Sequence, residues 1–310
     1  MNHLPSLNEI LVPAIGRAWV NFQVLKRLLL TQHFLFIYFL PFLLNGSRAA
    51  HTPHPHAGVG YELVWFDEFN TEGAPDPNKW TFERGFVRNE ELQWYQSENA
   101  ICVDGHLVIT GKKELKLNPD YIQGSTNWKT KRAFIDYTSA SVRMQKAHAF
   151  QYGKVEVRAK IDAQTGLWPA IWTLGISGEW PSNGEVDIME YYENKILANF
   201  AFADTARYAA IWDGASKPVV DFGGDAWARA FHVWTLEWDV NAMRILIDGV
   251  LLNEIDLDKT INKSNGKNPF RQPHYLLLNL AMGGNRGGSL VNTVLPSTYM
   301  IDYVRIYQER

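Results

Sequence analysis

The sequence predicts an all-β protein, a sandwich or jelly roll of two antiparallel sheets, and three observations carry that expectation. Lys154–Ile161 alternates polar and apolar residues without a break, the period of a half-buried strand. Arg244-Ile-Leu-Ile-Asp-Gly-Val-Leu-Leu252 sets an Asp-Gly turn between two apolar runs, which is a hairpin signal. No long stretch after Ala50 shows helical periodicity, so nothing supplies the crossovers of a parallel sheet.

The remaining strands follow in order. Tyr61–Phe66 opens the domain, and Leu107–Gly111 and Ser139–Met144 precede the alternating segment. Leu167–Leu174 and Ile196–Ala203 are apolar runs on either side of an acidic stretch. Phe231–Trp238 is rich in aromatic and branched residues that suit a pleated surface. Tyr275–Met282 and Ile301–Tyr307 close the chain. Four long connections are expected, Glu114–Arg132, Asp204–Ala228, Lys259–Pro273 and Gly283–Pro296. Loops of that length commonly carry function, and on a sandwich they would wall a substrate cleft across one concave face.

Composition excludes several classes. A net charge of −3 over 310 residues gives no reason to expect nucleic acid as a partner. The single cysteine, Cys102, rules out an internal disulfide framework and a cysteine-based zinc site. The chain holds 12 Trp, 13 Tyr and 16 Phe. These read either as β-core packing or as platforms for sugar rings. The expected state is a monomer.

Residues 1–50 differ from the rest. Lys26-Arg27 precede an apolar run, Leu28–Leu44, followed by small residues up to Ala50. This is the pattern of a secretory signal. The run is broken by Gln32 and His33 and falls short of the roughly 20 apolar residues a membrane span needs. The expected organisation is a leader over 1–50, a linker over 51–58 and a catalytic domain over 59–310. The expected location is secreted, periplasmic or at the cell surface, with no membrane contact by the catalytic domain.

Gly184-Glu-Val-Asp-Ile-Met-Glu190 carries the chemistry. On a strand, side chains alternate faces, so Glu185 and Asp187 share one. Glu190 would point away unless one β-bulge inserts an extra residue before it. A helix would turn Glu185 and Asp187 about 200° apart. Three acids on one face oppose one another's ionisation. Two carboxyl groups about 5–5.5 Å apart cleave a glycosidic bond with retention, and a wider pair admits water and inverts. Asp187, between the two glutamates, would hydrogen-bond one of them and help keep Glu190 protonated.

These residues resemble the signature of glycoside hydrolase family 16, in its bulged, laminarinase-like form. Further similar segments are Leu63–Phe69, Asn89–Tyr95, Tyr152–Arg158, Gly166–Trp172, Leu278–Asn285 and Asp302–Tyr307. The resemblance implies a jelly roll and an endo-acting, retaining hydrolase of β-1,3- or mixed β-1,3/1,4-glucan, with a β-linked polysaccharide as its partner. It assigns Glu185 as nucleophile, Glu190 as acid/base and Asp187 as the orienting acid. Trp172 would floor the subsite beside the scissile bond. Asn89 and Arg143 are sugar contacts, although Arg143 also reads as a strand-edge charge. Trp180 is a stacking residue or a packing one, and Trp168 reads as structural. Members often carry His on the strand after the acid row; here that strand offers Asn199 instead, which weakens the β-1,3-glucan assignment. No cofactor is needed for the chemistry. A structural calcium is implied, held by Glu68, the Gly105 carbonyl and Asp302; alternatively the two carboxylates are merely hydrogen-bonded. Other readings are an algal galactan hydrolase, a transglycosylase, or a glycan-binding sandwich without catalysis.

Overall fold

The computed structural model describes residues 60–310, so the expected leader and linker lie outside the described residues. The strands in chain order are β1 (Tyr61–Asp67), β2 (Trp80–Phe82), β3 (Gln93–Tyr95), β4 (Ala100–Val103), β5 (His106–Leu117) and β6 (Phe134–Ser139). Next come β7 (Ser141–Met144), β8 (Gly153–Lys160), β9 (Leu167–Gly175), β10 (Glu185–Tyr192), β11 (Lys195–Ala203) and β12 (Ala210–Pro218). The last are β13 (His232–Trp238), β14 (Ala242–Ile247), β15 (Val250–Asp256), β16 (His274–Met282) and β17 (Ser297–Glu309). Among the described residues no helix is long and apolar enough to cross a membrane.

Two sheets form a jelly-roll sandwich. One runs β12-β11-β10-β9-β16-β7-β2. The other runs β15-β14-β13-β8-β17-β5-β6-β3, with β1 on β17 and β4 on β5. Pairing is antiparallel except that β3 lies parallel to β6. The core between the sheets follows from alternation. In β11, Ile196, Ala198, Phe200 and Phe202 join the hydrophobic core, while Asn199 faces the other way. In β8, Val155, Val157 and Ala159 do the same from the opposite sheet. His274 is buried and bonded to Thr173 and the Pro269 carbonyl.

Two expected loops are partly strand: Glu114–Leu117 belongs to β5, and the second holds a whole strand. Asp204–Ala228 contains β12, which pairs with β11 along its whole length. As an edge strand it is hydrogen-bonded on one side only. Its sequence, Ala-Ile-Trp-Asp-Gly-Ala-Ser-Lys-Pro, shows no apolar alternation and holds the Gly and Pro typical of sheet edges.

Candidate active site

The acid row is built by a bulge in β10. Its register shifts between Asp187 and Glu190 against β11, and between Asp187 and Met189 against β9. Val186, Ile188, Met189 and Tyr191 all enter the core. The consecutive inward residues Ile188 and Met189 absorb the extra position and return Glu190 to the open face with Glu185 and Asp187. Cross-strand partners confirm the sides: Asp187 pairs with Asn199 of β11 and Trp172 of β9.

Each acid has its own partners. Trp180 Nε1 donates to Glu185 Oε2 at 2.6 Å. Trp168 Nε1 donates to Glu190 Oε1 at 2.9 Å. The Asn199 side-chain amide donates to Glu190 Oε2 at 2.9 Å and to Asp187 Oδ2 at 3.2 Å. The Asn199 amide thus bridges Asp187 and Glu190, and the charges of both glutamates act on Asp187.

Electrostatics distinguish the acids. Burial raises Asp187 well above the ordinary range, and the charges of Glu190 and Glu185 add to the effect. Burial pushes Glu190 up to about 7, reinforced by Glu185 and opposed by the hydrogen bonds from Trp168, Asp187 and Asn199. Burial raises Glu185 too, but Asp187, Trp180 and the Arg88 charge all favour its ionised form. Three partners thus work toward a Glu185 carboxylate, while the Glu190 carboxyl is left raised to about 7. Such a split is what acid and nucleophile roles require.

The sequence-derived contacts divide. Asn199 is in the row. Trp180 holds Glu185 through its N–H. Trp168, read as structural, is a direct partner of Glu190. Trp172 stands beside Asp187 as its partner on β9 and is buried. Its N–H donates to Asn279 Oδ1 at 2.6 Å, Asn279 donates to Tyr95 Oη at 3.1 Å, and the Arg88 guanidinium lies 4.9 Å over its ring. Arg143 shares the cross-strand row of Asp187 through Leu277 and Trp172, three strand spacings or roughly 14 Å away. It faces Tyr275, 6.0 Å from the ring centre. Asn89 is joined to Glu91 at 3.3 Å, and its carbonyl accepts the Asn285 N–H at 2.9 Å. The structure does not connect it to the acids. Arg88, ion-paired with Glu83, was not apparent from sequence: its neighbours Glu83 and Trp172 come from separate segments.

The residues expected to hold calcium do not form a carboxylate cradle. Both oxygens of Glu68 accept from the Arg305 guanidinium, at 2.8 and 2.9 Å. Asp302 is paired with Arg158. Gly105 lies in the turn between β4 and β5. Carboxylates neutralised by guanidinium groups are poor ligands for a hard dication.

A jelly roll with a buried carboxylate trio on one open sheet face defines the class of the glycoside hydrolases that cleave with paired acids. Comparison places the chain more narrowly. Residues 88–305 match the model of Glycosyl hydrolases family 16, and the chain belongs to that family. It is 31% identical to the Beta-glucanase of Rhodothermus marinus over 283 residues, 86% of this chain and 90% of that protein. It is 29% identical to Glucan endo-1,3-beta-glucosidase A1 of Niallia circulans over 84% of this chain, but spans only 39% of that longer relative. A solved structure from work on endo-acting O-glycanases, with which human gut microbiota initiate mucin breakdown, superimposes with a TM-score of 0.74. It is 34% identical and the match covers 81% of this chain and 92% of that one.

Proposed function

We propose that the protein is a retaining endo-hydrolase of β-1,3- or mixed β-1,3/1,4-glucan. Glu185 attacks the anomeric carbon and forms a glycosyl ester as the bond to the leaving oxygen breaks. Glu190 gives its proton to that oxygen. Glu190, now a carboxylate, then takes a proton from water as the water attacks the anomeric carbon and breaks its bond to the Glu185 oxygen, which releases Glu185 and restores the starting state. Asp187 orients Glu185 and shares its proton with the row, while Asn199 holds Asp187 and Glu190 together. Secretion or surface display, expected from the leader, suits a polymeric substrate.

One observation carries this reading: the β10 bulge sets Glu185, Asp187 and Glu190 on one open face, with the Asn199 amide donating to both Asp187 and Glu190. The glucan choice is supported by the names of the two glucanase relatives. The O-glycanase neighbour favours a second reading, a hydrolase of another β-linked glycan. Reducing-end assays on laminarin, lichenan, agarose and porphyran separate the two. Turnover is expected on laminarin or lichenan and lost in Glu185→Ala. Turnover on a galactan alone, or an unchanged rate in Glu185→Ala, overturns the proposal. Proton NMR of the first-formed product tests retention.

A further inference from the structure

Strand β12 carries an aromatic side chain that the acid-row chemistry leaves unused. Trp212 pairs with Ala201 of β11, and Ala201 pairs with Glu185 of β10. Directly paired residues project from the same face of a sheet. Trp212 therefore stands on the open face in the row of Glu185, two strand spacings or about 10 Å away. Its chain neighbours agree. Ile211 packs against the core, and Asp213 accepts from Asn253 on the facing sheet. Gly214 lies against Asn199 on the same side as Trp212.

The availability of this ring sets it apart. Trp212 is 51% exposed. Trp168 and Trp180 commit their N–H groups to the glutamates, and Trp172 commits its own to Asn279. In the other direction the same row runs from Glu185 through Leu174 to Tyr275. Tyr275 is buried, with Arg143 6.0 Å and Lys146 5.5 Å from its ring centre. The row thus has a covered aromatic on one side of the acids and an open one on the other. The hairpin leading into β12 is also tied to the loop before the acids. Arg207 Nη2 and Tyr208 Oη reach Glu179 Oε1 at 2.8 and 2.6 Å, next to Trp180.

We propose that Trp212 is the platform of a sugar subsite, its indole face stacking on a pyranose ring of the bound chain on the β12 side of the scissile bond. A flat apolar ring with its polar rim in water fits the apolar face of a sugar bearing hydroxyls around its edge. The subsite rests on the glycan-hydrolase reading above but not on the choice of glucan.

The test is affinity electrophoresis of a non-cleaving Glu185→Gln protein through gels containing laminarin, lichenan, agarose or porphyran. The Glu185→Gln/Trp212→Ala and Glu185→Gln/Trp212→Phe proteins run alongside. Trp212→Ala is expected to weaken binding of whichever polymer is retained by roughly three- to tenfold, and Trp212→Phe by less. In the active enzyme Trp212→Ala raises KM and leaves kcat within about twofold, as loss of uniform binding requires. Unchanged retardation of the Trp212→Ala protein with native near-UV circular dichroism overturns the subsite, as does a fall in kcat at constant KM. Retention by a galactan alone, sensitive to Trp212→Ala, overturns the glucan choice and leaves the subsite standing. Failure of every polymer to retain the Glu185→Gln protein overturns both.

Discussion

The indole N–H of Trp168 lies 2.9 Å from Oε1 of Glu190 and donates to it. Trp180 does the same for Glu185. A donor favours the ionised form of the acid it serves. Trp168→Phe keeps an aromatic ring near Tyr192, 5.4 Å away in the native protein, but removes that donor. Glu190 should then hold its proton to higher pH, and the alkaline limb of kcat/KM should move upward. Trp180→Phe should raise Glu185 and move the acid limb upward instead. Each is expected to lower the maximal rate by about tenfold, the cost of one misplaced charge-assisted hydrogen bond. Matched pH profiles of the two variants check this, and limbs that do not move separately contradict it.

Glu190 should make stability pH-dependent. Its carboxyl is raised from 4.5 to about 7, chiefly by burial. The folded state therefore keeps a proton that the unfolded chain releases near the ordinary value. Between those limits the native state binds more protons, so this contribution is full below about 4.5 and is lost as pH rises through about 7. Glu190→Gln removes the titration. Relative to the parent, the variant should gain stability between pH 4 and pH 8, on the order of 2 kcal/mol. The extra donor of Gln, facing Asn199 or Trp168, adds a cost that is the same at both ends. Thermal unfolding at the two pH values reads the change; a parent–variant difference that does not vary with pH contradicts it.

Gly214 makes room for Asn199. A Cβ there would meet Asn199 Oδ1 at 2.5 Å, closer than side chains pack. The obstacle is the end of a side chain, so Gly214→Ala should fold and push the amide aside. That amide bridges Asp187 and Glu190. A drop in kcat of about tenfold or more is expected, with Tm lowered only slightly. Kinetics together with calorimetry check it, and full activity would show that the bridge is dispensable.

What the sequence revealed depends on how local the cause is. The bulge in β10 was legible because three acids in an apolar run share a face only with one extra residue. Most strands were legible from alternation or apolar runs. β12 was not, since an edge strand with little burial needs no apolar pattern. The role of Trp168 was hidden because its N–H reaches a strand 22 residues on. The ion pairs at the expected calcium ligands were hidden for a similar reason: Arg305 is 237 residues from the Glu68 it contacts. Sequence spacing does not disclose pairings made by tertiary packing.

The extra residue of the bulge leaves no trace on the side a sugar would touch; Ile188 and Met189 accommodate it wholly underneath. Alignment of the two glutamates is therefore inherited from how tightly hydrocarbon is packed below them. Trimming either of those two side chains should be felt first as lost turnover, at temperatures where the sandwich is still intact. Interior variation at this spot is variation of the catalyst.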